Sequence, residues 1–126
     1  MHALDTKVLL RLIWDDDPAQ TEAAQHFIRG GAWVSLLVLA ECFWVLESRF
    51  GLAPRQLASA LQSLLTHRDL TIQDSPTAQA ALDQFRAHPK LGFSDCLILQ
   101  IAINAGHTPL ATFDKTLGKL PGAQRL

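Results

Sequence analysis

The order of apolar and polar positions along the chain predicts short strands that alternate with longer helices. The predicted strands end at Leu4–Asp5 or cover 32–35, 70–72 and 109–113. The predicted helices cover 8–14, 18–28, 36–50, 54–65, 78–87, 94–105 and, as a short helix, 114–117. Because this alternation is typical of a parallel sheet with helices on both faces, the sequence predicts one α/β domain over residues 1–126.

Two aspartates stand where a predicted strand gives way to a helix. Asp5 follows the first strand and Asp114 follows the last. Helix N-capping alone explains each of them, because Asp is a preferred capping residue. Ligands of parallel α/β folds, however, bind at the carboxyl ends of the strands. Both aspartates are therefore also candidates for a functional site.

Two further acids are predicted to point toward the protein interior, because their neighbours three and four positions away are nonpolar. For Glu41 these are Leu37, Val38, Trp44 and Val45, and for Asp95 they are Leu91, Gly92, Ile98 and Leu99. An ionised carboxylate is rarely buried without a partner, since its desolvation is costly. A structural ion pair would explain one such residue, whereas two favour a shared site. Glu22 and Asp83 are predicted to be solvated, and Glu47 to be peripheral.

Composition and charge limit the classes of function. Hydrophobic residues make up 48% of the chain and charged residues 18%, which excludes general disorder. The 11 Lys and Arg residues against 12 Asp and Glu give a net charge of −1, so no surplus of basic side chains is available to neutralise phosphates. Four clustered carboxylates would also raise one another's pKa. A hard cation such as Mg²⁺, which binds a few carboxylates and several waters, would resolve both conflicts.

Other sequence signals bear on location and cofactors. Cys42 and Cys96 fit no disulfide framework or Cys-x-x-Cys motif and are predicted to be buried thiols in a reduced, cytoplasmic setting. No signal peptide or membrane-spanning stretch is predicted. The histidines lack zinc-site spacing, and no glycine-rich phosphate loop is predicted. The tryptophans are predicted to lie in the core: Trp14, Trp33 and Trp44.

Four acidic motifs follow one another along the chain. They are Ala-Leu-Asp-Thr-Lys-Val-Leu-Leu-Arg at 3–11 with Asp-Asp-Pro at 16–18, Leu-Ala-Glu at 39–41, Gly-Phe-Ser-Asp-Cys at 92–96 and Thr-Phe-Asp-Lys at 112–115. In this order they resemble the motifs of the PIN-domain ribonucleases, in particular the VapC toxins of bacterial toxin–antitoxin modules. The resemblance runs from about residue 3 to residue 121. One position departs from the family pattern, because Lys7 stands where the family usually has Asn or Ser.

The resemblance implies a fold and a chemistry. The fold would be a PIN-like α/β/α sandwich around a short central parallel sheet. Asp5 and Asp95 would be the principal metal ligands, and Glu41 and Asp114 would complete the acidic site directly or through water. The reaction would be hydrolysis of RNA phosphodiester bonds assisted by Mg²⁺ or Mn²⁺. Hydroxyl groups beside three of the acids would orient ligands or waters, or would only cap helices: Thr6, Ser94 and Thr112.

The resemblance also implies partners, namely an RNA substrate, a VapB-type antitoxin and a second copy of the chain in a homodimer. The apolar helix over 36–50 is a candidate surface for these protein partners, although burial in the core explains it equally well. Six basic residues are candidates for lining the approach of RNA, with ordinary solvated charges as the alternative: Lys7, Arg11, Arg86, Lys90, Lys115 and Lys119.

Two other interpretations remain open at the level of the sequence. A PIN-like scaffold without catalytic activity is one of them, and the lysine at position 7 is the feature that favours it. A receiver-type signalling domain is the other, but it would need an adjacent acidic pair after the first strand, where this chain has only Asp5. A haloacid-dehalogenase-type phosphatase would need Asp-x-Asp at the place where this chain has Asp-Thr-Lys.

Overall fold

A computed structural model describes residues 1–126 of the chain as six α-helices, five short strands and one 3₁₀ helix. In chain order the elements are β1 (His2–Ala3), α1 (Thr6–Arg11), α2 (Pro18–Ile28), β2 (Ala32–Val34), α3 (Leu36–Ser48), α4 (Pro54–Leu65), β3 (Leu70–Ile72), α5 (Ser75–Ala87), α6 (Phe93–Asn104), β4 (Leu110–Thr112), the 3₁₀ helix (Leu117–Lys119) and β5 (Ala123–Arg125). No helix is both long enough and apolar enough to cross a lipid bilayer.

The strands form two small parallel sheets. Strands β1, β2 and β3 make a three-stranded sheet with β2 in the centre, where Ala3 lies opposite Trp33. Strands β4 and β5 make a separate pair, in which Leu110 lies opposite Ala123. The carboxyl ends of parallel strands lie at the same end of the sheet. Strands β1, β2 and β3 therefore lead into α1, α3 and α5 at one end of the three-stranded sheet. The predicted α/β fold with a short parallel sheet is confirmed.

Local sequence signals explain why the helices begin where they do. The hydroxyl of Ser35, directly after β2, accepts a hydrogen bond from the backbone N–H of Val38 at 3.1 Å and so caps α3. Asp17 caps α2 in the same way, and Pro18 occupies the first helical position. Because Ser35 directly follows β2, helix α3 starts at the carboxyl end of the central strand. Ligands of α/β folds bind at this end of the sheet.

A core of 27 buried residues holds the helices against one another. Helix α3 packs on both α1 and α6, and its Leu39 and Leu46 are fully buried. At the α3–α6 contact the rings of Phe43 and Phe93 meet edge to face, with centroids 5.9 Å apart. This contact is one of those that hold together the two helices that carry Glu41 and Asp95.

The structure corrects three expectations from the sequence. The short helix predicted over 114–117 is a turn followed by the 3₁₀ helix, and β5 was not predicted because Ala-Gln-Arg carries no strand signal. Trp14, Trp33 and Trp44 were predicted to be core residues, but all three are at least 36% exposed. Trp33 on β2 and Trp44 on α3 are on the exposed side of elements whose neighbouring residues are buried, and Trp14 lies in the loop after α1.

Candidate active site

Asp5 and Asp114 each accept a hydrogen bond from a backbone N–H group. The donor follows β1 in the case of Asp5 and β4 in the case of Asp114. Asp5 Oδ1 accepts a hydrogen bond from Thr6 N at 2.7 Å, and Asp114 Oδ1 accepts one from Leu117 N at 2.7 Å. Asp5 is therefore the N-cap of α1, whereas Asp114 holds the turn that precedes the 3₁₀ helix, whose N-cap is Thr116. The other oxygen of each carboxylate, Oδ2, accepts no hydrogen bond from the protein, so each group is held in place and still has a ligand position free.

Glu41 and Asp95 differ from most acids of the chain because no protein group satisfies them. Among the 12 Asp and Glu residues, all but Glu22, Glu41, Glu47 and Asp95 accept a hydrogen bond or form an ion pair. Of these four, Asp95 is half-buried and the others are exposed. Three of the four unpartnered carboxylates line two adjoining cavities, and Glu22 lies elsewhere on α2.

The two cavities meet at Trp44. Asp5 and Glu41 line an open cavity of about 580 Å³. Asp95 and Glu47 line a second one of about 520 Å³, together with Ser94 and Gly92. Trp44 lines both cavities. A larger groove of about 740 Å³ between α4 and α5 contains no carboxylate, so size alone does not identify the acidic site.

The prediction that Glu41 points inward is wrong. Glu41 is exposed, and two of its apolar neighbours on α3 are exposed with it: Leu37 at 75% and Trp44 at 56%. A helix that is apolar on nearly every side gives no sequence signal for which side is buried. The structure shows that Leu37, Glu41 and Trp44 form one exposed face of α3, while Leu39, Cys42, Phe43 and Leu46 form the buried one.

Asp95 has an environment that disfavours its charged form. Burial, and after it the negative charge of Asp114, raise the pKa of Asp95 above its usual value of 3.8. Asp114 lines neither cavity, but its effect on the pKa of Asp95 shows that the two carboxylates lie close enough to interact. None of the four acids of the site, Asp5, Glu41, Asp95 and Asp114, forms an ion pair with a basic side chain.

Of the six basic candidates, two line the cavity of Asp5 and Glu41, namely Lys7 and Arg11. Arg11 is committed to an ion pair with Asp16, with 2.7 Å between Nη1 and Oδ1. Lys7 forms no ion pair with any carboxylate. Arg86 lies in the groove between α4 and α5, and three lysines are exposed outside both acidic cavities: Lys90, Lys115 and Lys119.

The three candidate hydroxyls have different surroundings. Thr112 Oγ1 accepts a hydrogen bond from the backbone N–H of Asp114 at 3.0 Å, which supports the capping explanation. The side chain of Thr6 is buried beneath the cavity of Asp5 and Glu41. Ser94 lines the cavity of Asp95 and makes no hydrogen bond through its hydroxyl, so it is the one available to a ligand or water.

The two cysteines are buried free thiols, as predicted. Burial, and then the charge of Glu41, raise the pKa of Cys42 to about 12. Burial and the charge of Asp95 raise the pKa of Cys96 to about 11, against a smaller lowering by a backbone hydrogen bond. Since the reactive form of cysteine is the thiolate, neither thiol is suited to act as a nucleophile at neutral pH.

Comparison with known families agrees with this arrangement of acids at strand ends. A protein-family model described as the PIN domain matches residues 3–123. The chain belongs to the PIN domain family. PIN domains are typically nucleases that act on RNA or DNA, and they generally use divalent metal ions. A comparison with curated proteins finds no match to this chain.

The donor set of this PIN domain fits a hard divalent cation. The structure contains no group of three or more His, Cys, Asp or Glu side chains arranged to hold one metal ion. Mg²⁺, however, typically binds through one or two carboxylates and keeps several waters, with substrate phosphate as a further ligand. Unpartnered carboxylate oxygens on Asp5, Glu41 and Asp95 supply that chemistry. Thiols would favour softer metals, but both cysteines are buried and line neither acidic cavity.

Three residues of the site were missed or misplaced by sequence reasoning. Glu47 was predicted to be peripheral but lines the cavity of Asp95, and Trp44 was predicted to be in the core. Arg49 was not considered, yet it lines the cavity of Asp5 and Glu41. The available signal was the helical spacing of Glu41, Trp44 and Glu47, each three residues from the next, which places them on adjoining parts of α3.

Proposed function

We propose that this protein is a divalent-metal-dependent endoribonuclease that acts as the toxin of a toxin–antitoxin module. Membership of the PIN family supports nuclease activity. The observation that carries the metal-dependent assignment is the absence of any protein partner for Glu41 and Asp95, which line adjoining open cavities. Carboxylates that no basic side chain neutralises are suited to take a hard cation from solution.

Each acidic residue would have its own role in such a site. Asp5 and Asp95 would be the main ligands, and Glu41 and Asp114 would complete the site directly or through water. When bound, Mg²⁺ or Mn²⁺ would neutralise these charges and act as a Lewis acid on the scissile phosphate. Asp5 would keep its orientation, because Oδ1 remains on the backbone N–H of Thr6. The free hydroxyl of Ser94 would orient a water beside Asp95.

The choice of RNA and the toxin role rest on the sequence resemblance to VapC toxins through the four acidic motifs. Two buried free thiols support action in the reducing cytoplasm. A VapB-type antitoxin and a second copy of the chain are the protein partners that we propose. Their binding surface would include exposed apolar side chains on α6 and beside Asp114: Ile98, Ile101 and Phe113.

The position that departs from the family pattern does not favour an inactive scaffold. A lysine that replaced the cation would have to lie against the carboxylates. Lys7 is exposed and forms no ion pair with Asp5 or any other acid. Its charge is therefore available to substrate phosphate, and the need of the acids for a cation remains.

A cleavage assay tests the metal-dependent function through two glutamates of the same type. Wild-type protein is incubated with a mixed pool of structured RNAs in Mg²⁺, in Mn²⁺ and in EDTA. We expect cleavage with either metal and none in EDTA. Glu41→Gln is expected to lower the rate about a hundredfold or more, since even groups behind a metal ligand contribute about 10- to 100-fold. Glu22→Gln, which removes an unpartnered carboxylate outside the cavities, is expected to leave the rate unchanged.

Two outcomes of this assay would contradict the proposal. Cleavage that persists in EDTA would exclude a metal-dependent mechanism. Equal activity of Glu41→Gln and Glu22→Gln would remove Glu41 from the site, because the two substitutions have the same chemistry and differ only in location.

The toxin role predicts an effect on bacterial growth. Induced production of the wild-type chain in a bacterial host is expected to arrest growth, because an endoribonuclease without its antitoxin degrades essential RNA. Asp95→Asn is expected to restore growth at the same protein level, measured by optical density and by immunoblot. Arrest by both proteins to the same degree would show that the toxicity does not come from this site.

A further inference from the structure

Trp44 is an exposed aromatic ring at the junction of the two acidic cavities. Its indole is 56% exposed. It lines the cavity of Asp5 and Glu41 on one side and that of Asp95 and Glu47 on the other. A large apolar ring exposed to this extent is stabilised only in part by packing against the protein. Trp44 is the aromatic side chain that both acidic cavities share.

The groups around Trp44 are suited to a nucleotide. Lys7 and Arg49 line the same cavity as the indole, and neither forms an ion pair with an acid. Phe50 lies beside them, and its ring packs on Trp14 with 5.0 Å between centroids. Uncommitted cations beside an exposed aromatic face form the combination that binds single-stranded nucleic acid, because the cations contact phosphate and the ring stacks on a base.

We propose that Trp44 is the stacking platform for an unpaired base next to the scissile phosphate, and that Arg49 contacts the phosphate on the same side. This subsite rests on the proposed nuclease function and assigns to it a base-binding residue. The base must be unpaired, because a face inside a duplex is already covered by its stacking neighbours. Lys7, at the departure from the family pattern, completes the positive side of this subsite.

The neighbouring residue Leu37 provides a matched control for simple hydrophobic exposure. Leu37 lies seven residues before Trp44 on the same exposed face of α3 and is 75% exposed. It lines neither acidic cavity. A protein partner that covers the apolar face of α3 would use both side chains. A base stacked beside the acids would use only Trp44, so paired substitutions separate the two occupants.

The test is steady-state cleavage of a short unstructured RNA oligonucleotide with Mg²⁺. Trp44→Leu is expected to raise KM about 5- to 150-fold, the range that loss of one base–aromatic stack produces, with kcat within about twofold of wild type. Trp44→Phe is expected to restore most of the affinity, because it keeps an aromatic face. Leu37→Ala is expected to leave both constants unchanged.

Single abasic nucleotides locate the stacked base. At one position next to the cleavage site, removal of the base is expected to raise KM of the wild type and to have no added effect on Trp44→Leu. Additive effects at every position would overturn the proposal. An unchanged KM in Trp44→Leu would overturn it as well. Equal weakening by Trp44→Leu and Leu37→Ala would also overturn it, because Leu37 lines neither acidic cavity.

A binding measurement separates failure of this subsite from failure of the proposed function. If the wild type cuts no RNA with Mg²⁺ or Mn²⁺, the nuclease proposal fails, and the same oligonucleotide is then titrated while indole fluorescence is recorded. Quenching in the wild type that is lost in Trp44→Phe, a variant expected to retain binding, would show that the oligonucleotide reaches the indole of Trp44 and would uphold the base subsite without catalysis. No quenching would overturn it. If the wild type does cut, the KM values decide the question, and the nuclease function stands whatever the role of Trp44.

Discussion

Replacement of Asp95 by Asn is expected to lower the rate of RNA cleavage strongly and, in the absence of divalent cations, to stabilise the folded protein at neutral pH. The loss of activity follows from the removal of a charged ligand, and a fall of about 100- to 1000-fold is the size expected for an electrostatic group at the reacting centre. The gain in stability follows from the environment of the carboxylate. It is half-buried, has no partner and lies near the charge of Asp114.

The pH dependence of this stability has a definite sign. Burial and Asp114 raise the pKa of Asp95 in the folded state above 3.8, so the folded state binds the proton more tightly than the unfolded state. The free energy of unfolding therefore falls as pH rises from the unfolded pKa through the folded pKa. The full penalty is present above the folded pKa and absent below the unfolded pKa. Asn carries no charge, so its advantage over Asp95 is expected at pH 7 and is expected to disappear in acid.

Thermal unfolding in EDTA and in Mg²⁺ checks both parts of this prediction. In EDTA at pH 7, Asp95→Asn is expected to have a higher Tm than the wild type. With Mg²⁺ the order is expected to reverse, because a ligand that binds only the folded wild type stabilises it by mass action. Asp83→Asn is the control, since Asp83 pairs with Arg86 and Gln79 and its replacement should bring no gain. A lower Tm of Asp95→Asn in EDTA would contradict the repulsion that we assign to this site.

Most of the helices could be predicted because their signals are local. Proline at the first position of α2 and α4, and apolar spacing along α4, mark helices whose observed bounds match the predicted ones. Strand β3 is also found where its three apolar and β-branched residues predicted it. Strand β5 could not be predicted in this way. It forms because β4 offers it backbone hydrogen-bonding groups, and that pairing depends on the folded chain.

The site could be predicted only as far as residue type and strand position allow. Asp5 and Asp114 are at strand ends, as expected, and each has one free carboxylate oxygen. The orientation of Glu41 could not be derived, because α3 is apolar on nearly every side and its exposed face is set by packing against α1 and α6. The same ambiguity hid Trp44 among core residues. When a helix is apolar on nearly every side, tertiary packing decides which face is exposed, and the spacing of its apolar residues does not predict that face.

The second large effect is expected at the contact between Phe43 and Phe93, which joins α3 to α6. Phe43→Ala is expected to lower the free energy of unfolding by about 3 to 5 kcal/mol, the usual cost of emptying a buried phenylalanine site. Phe43 is 2% exposed and meets Phe93 across the α3–α6 contact. Phe113→Ala is the control, since the same truncation at a side chain that is 81% exposed should change stability by less than about 0.5 kcal/mol. Urea unfolding followed by circular dichroism measures both values.

A change at Phe43 is expected to affect catalysis as well as stability, because Phe43 packs between α3, which carries Glu41, and α6, which carries Asp95. Phe43→Leu retains most of the volume and is expected to fold, with a loss of about 1 kcal/mol. The edge-to-face contact with Phe93 disappears, however, and the two helices can shift relative to each other. A shift of about 1 Å at a reacting centre can cost a hundredfold in rate, so cleavage is expected to fall more than stability does. Full activity in a folded Phe43→Leu protein would show that the α3–α6 packing does not set the spacing of the carboxylates.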